Sequence, residues 1–238
     1  MDNPKVLVII PAYNEAASIA EVIGDIHTHY PSADVLVVDD GSSDNTGEIA
    51  LKNGAELLRM PFNLGIGSTV QTGFKFAQKE GYDIAVQVDG DGQHDAGHLP
   101  ALLAPIIADE SDLVMGSRYL TKTDYVGSTS RRTGTAIFSK ILSLMLGQKV
   151  TDATSGFRAL NRKLINLFAD DYPRDYPEVE ALLLAHVARL RIKEIPVDMR
   201  QRSGGRSSIN YFRSIYYMVK VFLALLVGVS RRRAPRVQ

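Results

Sequence analysis

Two aspartates separated by one glycine, in Asp89-Gly-Asp-Gly-Gln-His94, are the residues of this chain best suited to holding a divalent cation. Asp89 and Asp91 together offer hard oxygen donors to Mg2+ or Mn2+, which complete their shells with water and substrate phosphates. The glycines let the backbone turn sharply and come close to a ligand. A nucleotide diphosphate could not lie beside two bare carboxylates without that cation, which also stabilises it as a leaving group. Alone, the motif reads equally as an acidic turn, since Asp-Gly pairs form turns readily. A second cluster, Asp39-Asp-Gly-Ser-Ser-Asp44, ends an apolar run and precedes a helical one. Asp39 or Asp40 could accept hydrogen bonds from a nucleobase or ribose, while Asp44 or Ser43 caps the helix, and both readings hold together. Asn63-Leu-Gly-Ile-Gly67 is loosely phosphate-loop-like but fits neither the dinucleotide nor the Walker pattern, so a glycine turn is the better reading. Pro11-Ala-Tyr-Asn-Glu15 stands where a dinucleotide fold has a glycine-rich turn, which argues against NAD.

The elements that must carry these motifs are legible in the hydrophobic pattern. Lys5 to Ile10, Val35 to Val38, Ile84 to Val88 and Leu113 to Met115 are short apolar runs suited to strands buried on both faces. Between them, Glu15 to His29, Asn45 to Asn53, Gly67 to Glu80 and Gly97 to Asp109 repeat apolar residues at helical spacing. The alternation predicts an α/β fold with a mainly parallel sheet flanked by helices, whose ligands bind beyond the carboxyl ends of the strands. The three acidic or polar motifs fall at those ends. After Gly116 the alternation is lost: a helix is expected from Thr133 to Gly147, a turn from Asp152 to Arg158, a helix near Glu178 to Leu190 and a strand from Ile192 to Val197. That half is expected to form the acceptor side.

Composition narrows the classes. With 238 residues, 45% apolar and 23% charged, the chain has material for a sizeable core, which excludes disorder, collagen and a bare coiled coil. The absence of cysteine removes disulfides, thiolate zinc sites and cysteine nucleophiles together. Net charge is zero, yet Arg189 to Gln238 holds 12 basic and 2 acidic residues, so an acidic body carries a basic tail. This asymmetry suggests a cation site in the body and an anionic partner for the tail. No signal peptide is visible, and the apolar run Val221 to Val229 is far short of the roughly 20 residues that span a bilayer.

Taken together the motifs resemble family 2 glycosyltransferases of the GT-A (Rossmann-like) fold, over about the first 210 residues. The resemblance rests on Pro11 to Glu15, Asp39 to Asp44, Asn63-Leu-Gly65 and Gln87 to Asp95 occurring in that order. It implies that Pro11, Tyr13, Glu15 and Asp40 line the nucleoside pocket, that Asn63 belongs to the substrate-binding set, and that Asp89 and Asp91 handle diphosphate and metal with Gln93 beside them. Within the family, Gly116-Ser-Arg118, Asp152-Ala-Thr-Ser-Gly-Phe-Arg158 and Arg202-Ser-Gly-Gly-Arg-Ser-Ser208 resemble the polyprenyl-phosphate hexosyltransferases, similar to dolichol-phosphate mannosyltransferases. The branch implies a UDP- or GDP-linked hexose as donor and a polyprenyl (undecaprenyl or dolichyl) phosphate as acceptor. Arg118 and Arg131 are then expected on the acceptor phosphate and Arg202 on the donor phosphates, with Arg158 and Ser208 in the substrate-binding set. Arginine forks suit phosphate oxygens; the alternative for each is a solvated surface charge, and for Arg131 the two readings weigh equally. A phosphate monoester, with a second pKa of ~6, is largely dianionic at pH 7 and attacks without a dedicated base. Glu178 and Glu180 stand where related enzymes with hydroxyl acceptors have a catalytic carboxylate. Glu180 is expected to orient sugar or acceptor, with general base as the alternative. His94 is close enough in sequence to approach the metal, yet a hydrogen-bonded loop role is commoner; His27, His29, His98 and His186 are taken as structural.

The expected organisation is a catalytic domain over 1–208 and a basic amphipathic tail over 209–238. The tail helix, with Tyr211, Phe212, Ile215, Tyr216 and Phe222 among Arg213 and Lys220, suits the headgroup region of a membrane. Ile137, Phe138, Ile141, Leu142 and Leu144 to Leu146 form either a second interfacial face or a core-packing one. The expectation is therefore a peripheral enzyme at the cytoplasmic face of the membrane, with a small integral membrane partner supplying the anchor that branch members carry and with no nucleic-acid partner. Competing readings are a transferase extending a surface polysaccharide on a sugar hydroxyl and a noncatalytic nucleotide-sugar scaffold. A nucleotidyltransferase should carry a glycine-rich, basic loop after the first strand, which is absent here.

Overall fold

Every residue of the aliphatic run Val6–Ala12 is buried, and this strand, β1, lies inside the sheet. The computed structural model describes residues 4–120, 139–174 and 177–200. In chain order these form β1, α1 (Ile19–His29), β2 (Asp34–Asp39), α2 (Thr46–Lys52), β3 (Glu56–Arg59), α3 (Ile66–Lys79) and β4 (Ile84–Gln87). They continue with α4 (Leu99–Ile107), β5 (Leu113–Ser117), helical residues 139–146 (α5), β6 (Arg158–Asn161), α6 (Arg162–Asp170), α7 (Pro177–Val187) and β7 (Ile192–Pro196). Among the described residues seven strands make one sheet in the order β3-β2-β1-β4-β6-β5-β7. It is parallel except at β6, which runs antiparallel to both β4 and β5.

Strand alternation divides the core in two. Leu7 and Ile9 of β1 face a layer containing Phe74 of α3, Phe168 of α6 and Leu182 of α7, while Val8 and Ile10 face Ile23 of α1 and Leu102 of α4. Phe74, Phe168 and Tyr172 meet ring to ring at centroid distances of 5.1 to 5.6 Å and lock α3 against α6. In α5, Leu142 and Leu146 are buried whereas Leu144 is 78% exposed, so the described part of this segment packs one face into the core.

Three elements are absent from the sequence expectations. β3 is a four-residue edge strand without β-branched residues, and its Glu-Leu-Leu-Arg pattern gives little β signal. β6 starts at Arg158, where only a turn is expected, and inserts antiparallel between β4 and β5. α6 is strongly one-sided, burying Leu164, Ile165, Phe168 and Ala169, and starts at Asn161, whose side chain accepts from the Leu164 N–H.

Asp112, buried before β5, ties the sheet's far side together. Arg191 donates to it from its backbone N–H (2.8 Å) and from Nε (3.0 Å), and Asn161 donates from Nδ2 (2.7 Å). These bonds, Arg191 first, hold its carboxyl down at about 2. A carboxyl depressed in the folded state stabilises fully above its unfolded value of ~3.9 and loses that contribution as pH falls through its folded value. The Asp112→Asn variant is therefore expected to be less stable than the parent by about 2 kcal/mol near pH 7. Urea titration should show this gap closing as pH falls from about 4 to about 2. A gap of constant size over that window would contradict the assignment.

Candidate active site

The carboxyl ends of β1, β2 and β4 lie side by side, with Ala12 opposite Asp39 and Ile9 opposite Gln87. The loops leaving them enclose a cleft of about 350 Å3. Of the residues expected from sequence, Pro11, Tyr13, Glu15, Asp40, Asn63, Asp89 and Asp91 all line it. Ile66 and Thr69 from the first turn of α3, and Glu178 from α7, complete much of the wall.

Asp40 is oriented by its own loop. Its Oδ1 accepts from the Leu64 N–H (2.8 Å) and its Oδ2 from the Gly65 N–H (2.9 Å), so this carboxylate fixes the segment that brings Asn63 to the cleft. Asp39 is fully buried and accepts from the Ser42 N–H (2.9 Å) and from Arg59 Nε (3.2 Å), which makes it a strut under the loop. Asp44 accepts from the Thr46 N–H (3.0 Å) and the Ala16 N–H (3.2 Å), joining the second loop to the first. Ser18 Oγ donates to the Gly90 carbonyl (2.6 Å), and to Glu15 Oε2 at 3.2 Å, so the Asp89–Asp91 turn is fastened to the start of α1.

The turn is also braced from within. The Gln93 N–H donates to Asp91 Oδ1 (3.1 Å), and the Asp89 N–H donates to Nδ1 of buried His94 (3.0 Å). His94 stacks on Phe157 with centroids 4.9 Å apart and 15° between planes. Its role is thus that of a hydrogen-bonded support for Asp89.

Glu178, not Glu180, lines the cleft. Successive helical residues are rotated by about 100°, so two glutamates two apart point to different sides of α7 and only one can face the ligand. Burial pushes the Glu178 carboxyl above its usual range, and neighbouring Asp89 pushes the same way, while Arg158 opposes them. Periodicity could not choose between the two glutamates, because it does not fix which face of α7 meets the sheet.

Three other expected residues sit elsewhere. Gln93 is half-buried behind the turn and accepts from the Arg200 N–H (2.9 Å) through its carbonyl. Arg118 grips fully buried Asp152 through Nε (2.6 Å) and Nη2 (2.7 Å), so two arms of the fork expected on an acceptor phosphate are engaged by a carboxylate. Arg158 is buried, donates to the carbonyls of Ser155 (2.7 Å) and Ala153 (3.4 Å), and is not among the residues that line the cleft. The reason in both cases is that a buried guanidinium needs partners, and the Asp152–Arg158 loop supplies them locally. Arg131, Arg202 and Ser208 lie outside the described residues, as does the tail over 209–238. Among the described residues no helix is long and apolar enough to cross a membrane.

The wall carries Glu15, Asp40, Asp89, Asp91 and Glu178, and no lysine or arginine among the described residues. Among those residues no three histidine, aspartate or glutamate side chains converge as a self-sufficient metal cage. An acidic wall of this kind suits a cation of the Mg2+ type, held by one or two carboxylates and otherwise by a ligand's phosphates and water. Asp89 and Asp91 are the adjacent pair in this wall that could hold it.

Known proteins share both pattern and shape. Residues 7–168 match the family model described as Glycosyl transferase family 2. An undecaprenyl-phosphate mannosyltransferase of Micrococcus luteus is 35% identical over 217 residues, 87% of this chain and 88% of the relative. A UDP-N-acetylglucosamine–dolichyl-phosphate N-acetylglucosaminyltransferase of Methanococcus voltae is 31% identical over 217 residues, 83% of this chain and 86% of the relative. The fold is that of glucosyl-3-phosphoglycerate synthase from Mycobacterium tuberculosis, solved with Mn2+, UDP and glucosyl-3-phosphoglycerate, with a TM-score of 0.72 at 21% identity over 94% of this chain and 79% of that one.

Proposed function

The chain belongs to glycosyl transferase family 2, and we propose that this hexosyltransferase moves a hexose from a nucleotide diphosphate sugar to a polyprenyl phosphate, with inversion and with Mg2+ or Mn2+ at Asp89 and Asp91. The observation that carries the metal is the charge of the cleft. Five carboxylates line it, and their charge favours a diphosphate that arrives with a divalent cation. Polyprenyl-phosphate sugar transfer is the reaction of the relatives named above, which supports the acceptor.

In this reading the nucleoside packs on Pro11 and Tyr13 between the first two loops. Asp40 keeps the Asn63–Gly65 segment closed over it through its two backbone bonds. The bound cation would neutralise the diphosphate and stabilise it as it leaves. Glu178, at the α7 wall, is placed to accept or donate a hydrogen bond to a sugar hydroxyl and so to orient the anomeric carbon. The acceptor needs no protein base, because its phosphate oxygen is already anionic near pH 7. Attack opposite the departing diphosphate turns an α-linked donor into a β-linked product.

The basic residues of the tail over 209–238 would hold the enzyme on anionic lipid as a peripheral protein at the cytoplasmic face, each contributing ~1 kcal/mol near the surface. A small integral membrane partner would complete that anchor. Sedimentation with anionic against neutral vesicles tests the tail.

The decisive assay offers labelled UDP- and GDP-hexoses with Mn2+ to two acceptors, a polyprenyl phosphate and a free glycan. Label is expected in the lipid as a β-linked phosphodiester. Label in the glycan would favour polysaccharide extension, and donor left unconsumed with both would favour a scaffold.

A further inference from the structure

We infer that Gly156 is a positioning residue of the diphosphate site, the floor against which the Asp89 carboxylate is set. The inference rests on the metal role proposed for Asp89 and goes on to say what fixes its geometry.

A Cβ built on Gly156 would lie 2.9 Å from Asp89 Oδ1, 3.0 Å from Asp89 Oδ2 and 3.1 Å from Gln87 Nε2. The carboxylate therefore rests against the Gly156 backbone, so close that a side chain at 156 would have to push it aside. Gln87 donates to Asp89 Oδ1 from the side at 3.4 Å. The next residue, Phe157, carries the ring on which His94 stacks, and His94 in turn accepts from the Asp89 N–H. Two consecutive residues of one loop thus set both ends of Asp89, its side chain through Gly156 and its backbone through Phe157 and His94.

The loop itself has little room to withdraw. Asp152 at its start is gripped by Arg118, and Glu194 of β7 accepts from the N–H groups of Thr151 and Asp152, each at 2.9 Å. Arg158 at its end donates to the carbonyls of Ser155 and Ala153. An added methyl at 156 is consequently relieved by the softer partner, the rotatable end of Asp89. The fold tolerates that rotation, whereas a metal ligand displaced from its working orientation does not serve. This also gives the Asp152–Arg158 motif a task on the donor side, where the sequence suggested only the acceptor.

The test is calorimetric titration of UDP and of GDP, each with and without Mn2+, into the parent, Gly156→Ala and Gly24→Ala. A Cβ at Gly24, on α1, meets nothing within 4 Å, so that variant reports nucleotide binding with an added methyl that clashes with nothing. Gly156→Ala is expected to weaken Mn2+-dependent nucleotide binding about 10- to 100-fold. Its metal-free binding should stay at the level of Gly24→Ala and its thermal midpoint close to the parent's. In an Asp89→Ala background the same substitution should add no further loss, because its target is gone. Parental affinity in Gly156→Ala, or an equal loss with Asp89 already removed, would overturn the inference while leaving the metal role intact. Nucleotide binding by the parent that ignores Mn2+ would instead remove the metal role, and this inference with it.

Discussion

Asp91→Ala is expected to lower hexose transfer about 10^3-fold, the several kcal/mol that a cation contributes to a developing diphosphate charge. Its thermal midpoint should change far less than its rate, since Asp91 is only partly buried. The loss should appear in kcat as well as in donor KM, because the charge grows as the bond to the leaving group breaks. Steady-state assays at saturating Mn2+ check this. Transfer within tenfold of the parent would mean that Asp91 does not serve the diphosphate.

The largest effect on stability is expected at Asp152. Its carboxylate is fully buried and receives Arg118 Nε, Arg118 Nη2 and the Arg118 N–H, the last at 3.2 Å. Removing one member of a buried pair leaves the other desolvated without its counter-charge, at a cost of about 3–5 kcal/mol. Asp152→Ala should therefore fall that far in urea unfolding. Arg118→Met combined with Asp152→Leu should recover part of the loss, since it removes both charges together. A double variant less stable than Asp152→Ala would show that the pair does more than balance its own charges. Arg118→Lys is a third probe, because a single ammonium cannot reproduce the two-armed grip.

The part of the cleft built by the first loops was readable because strand ends and polar motifs coincide in sequence. A parallel sheet places the loops after β1, β2 and β4 next to one another, so Glu15, Asp40 and Asp89 meet although dozens of residues separate them. The second half was less legible for a physical reason. β6 is short, lies among turn residues and enters the sheet antiparallel, so no βαβ alternation announces it. Its preceding loop folds back under Asp89, and neither the Gly156 contact nor the Phe157–His94 stack has a signature in local sequence. Arginines suffer the same limit. Their residue type suits phosphate and carboxylate alike, and only the burial of Asp152 reveals which one Arg118 grips here. Glu178 and Glu180 differ only in the face of α7 they occupy, which packing decides.

The most direct measurement follows labelled hexose into polyprenyl phosphate under three conditions: with Mn2+, after chelation with EDTA, and after Mn2+ is restored. Transfer is expected in the first, loss of all but a trace in the second and recovery in the third. Undiminished transfer in the chelated sample would contradict the account, because the acidic wall around Asp89 and Asp91 would then be accepting a diphosphate with no cation between them.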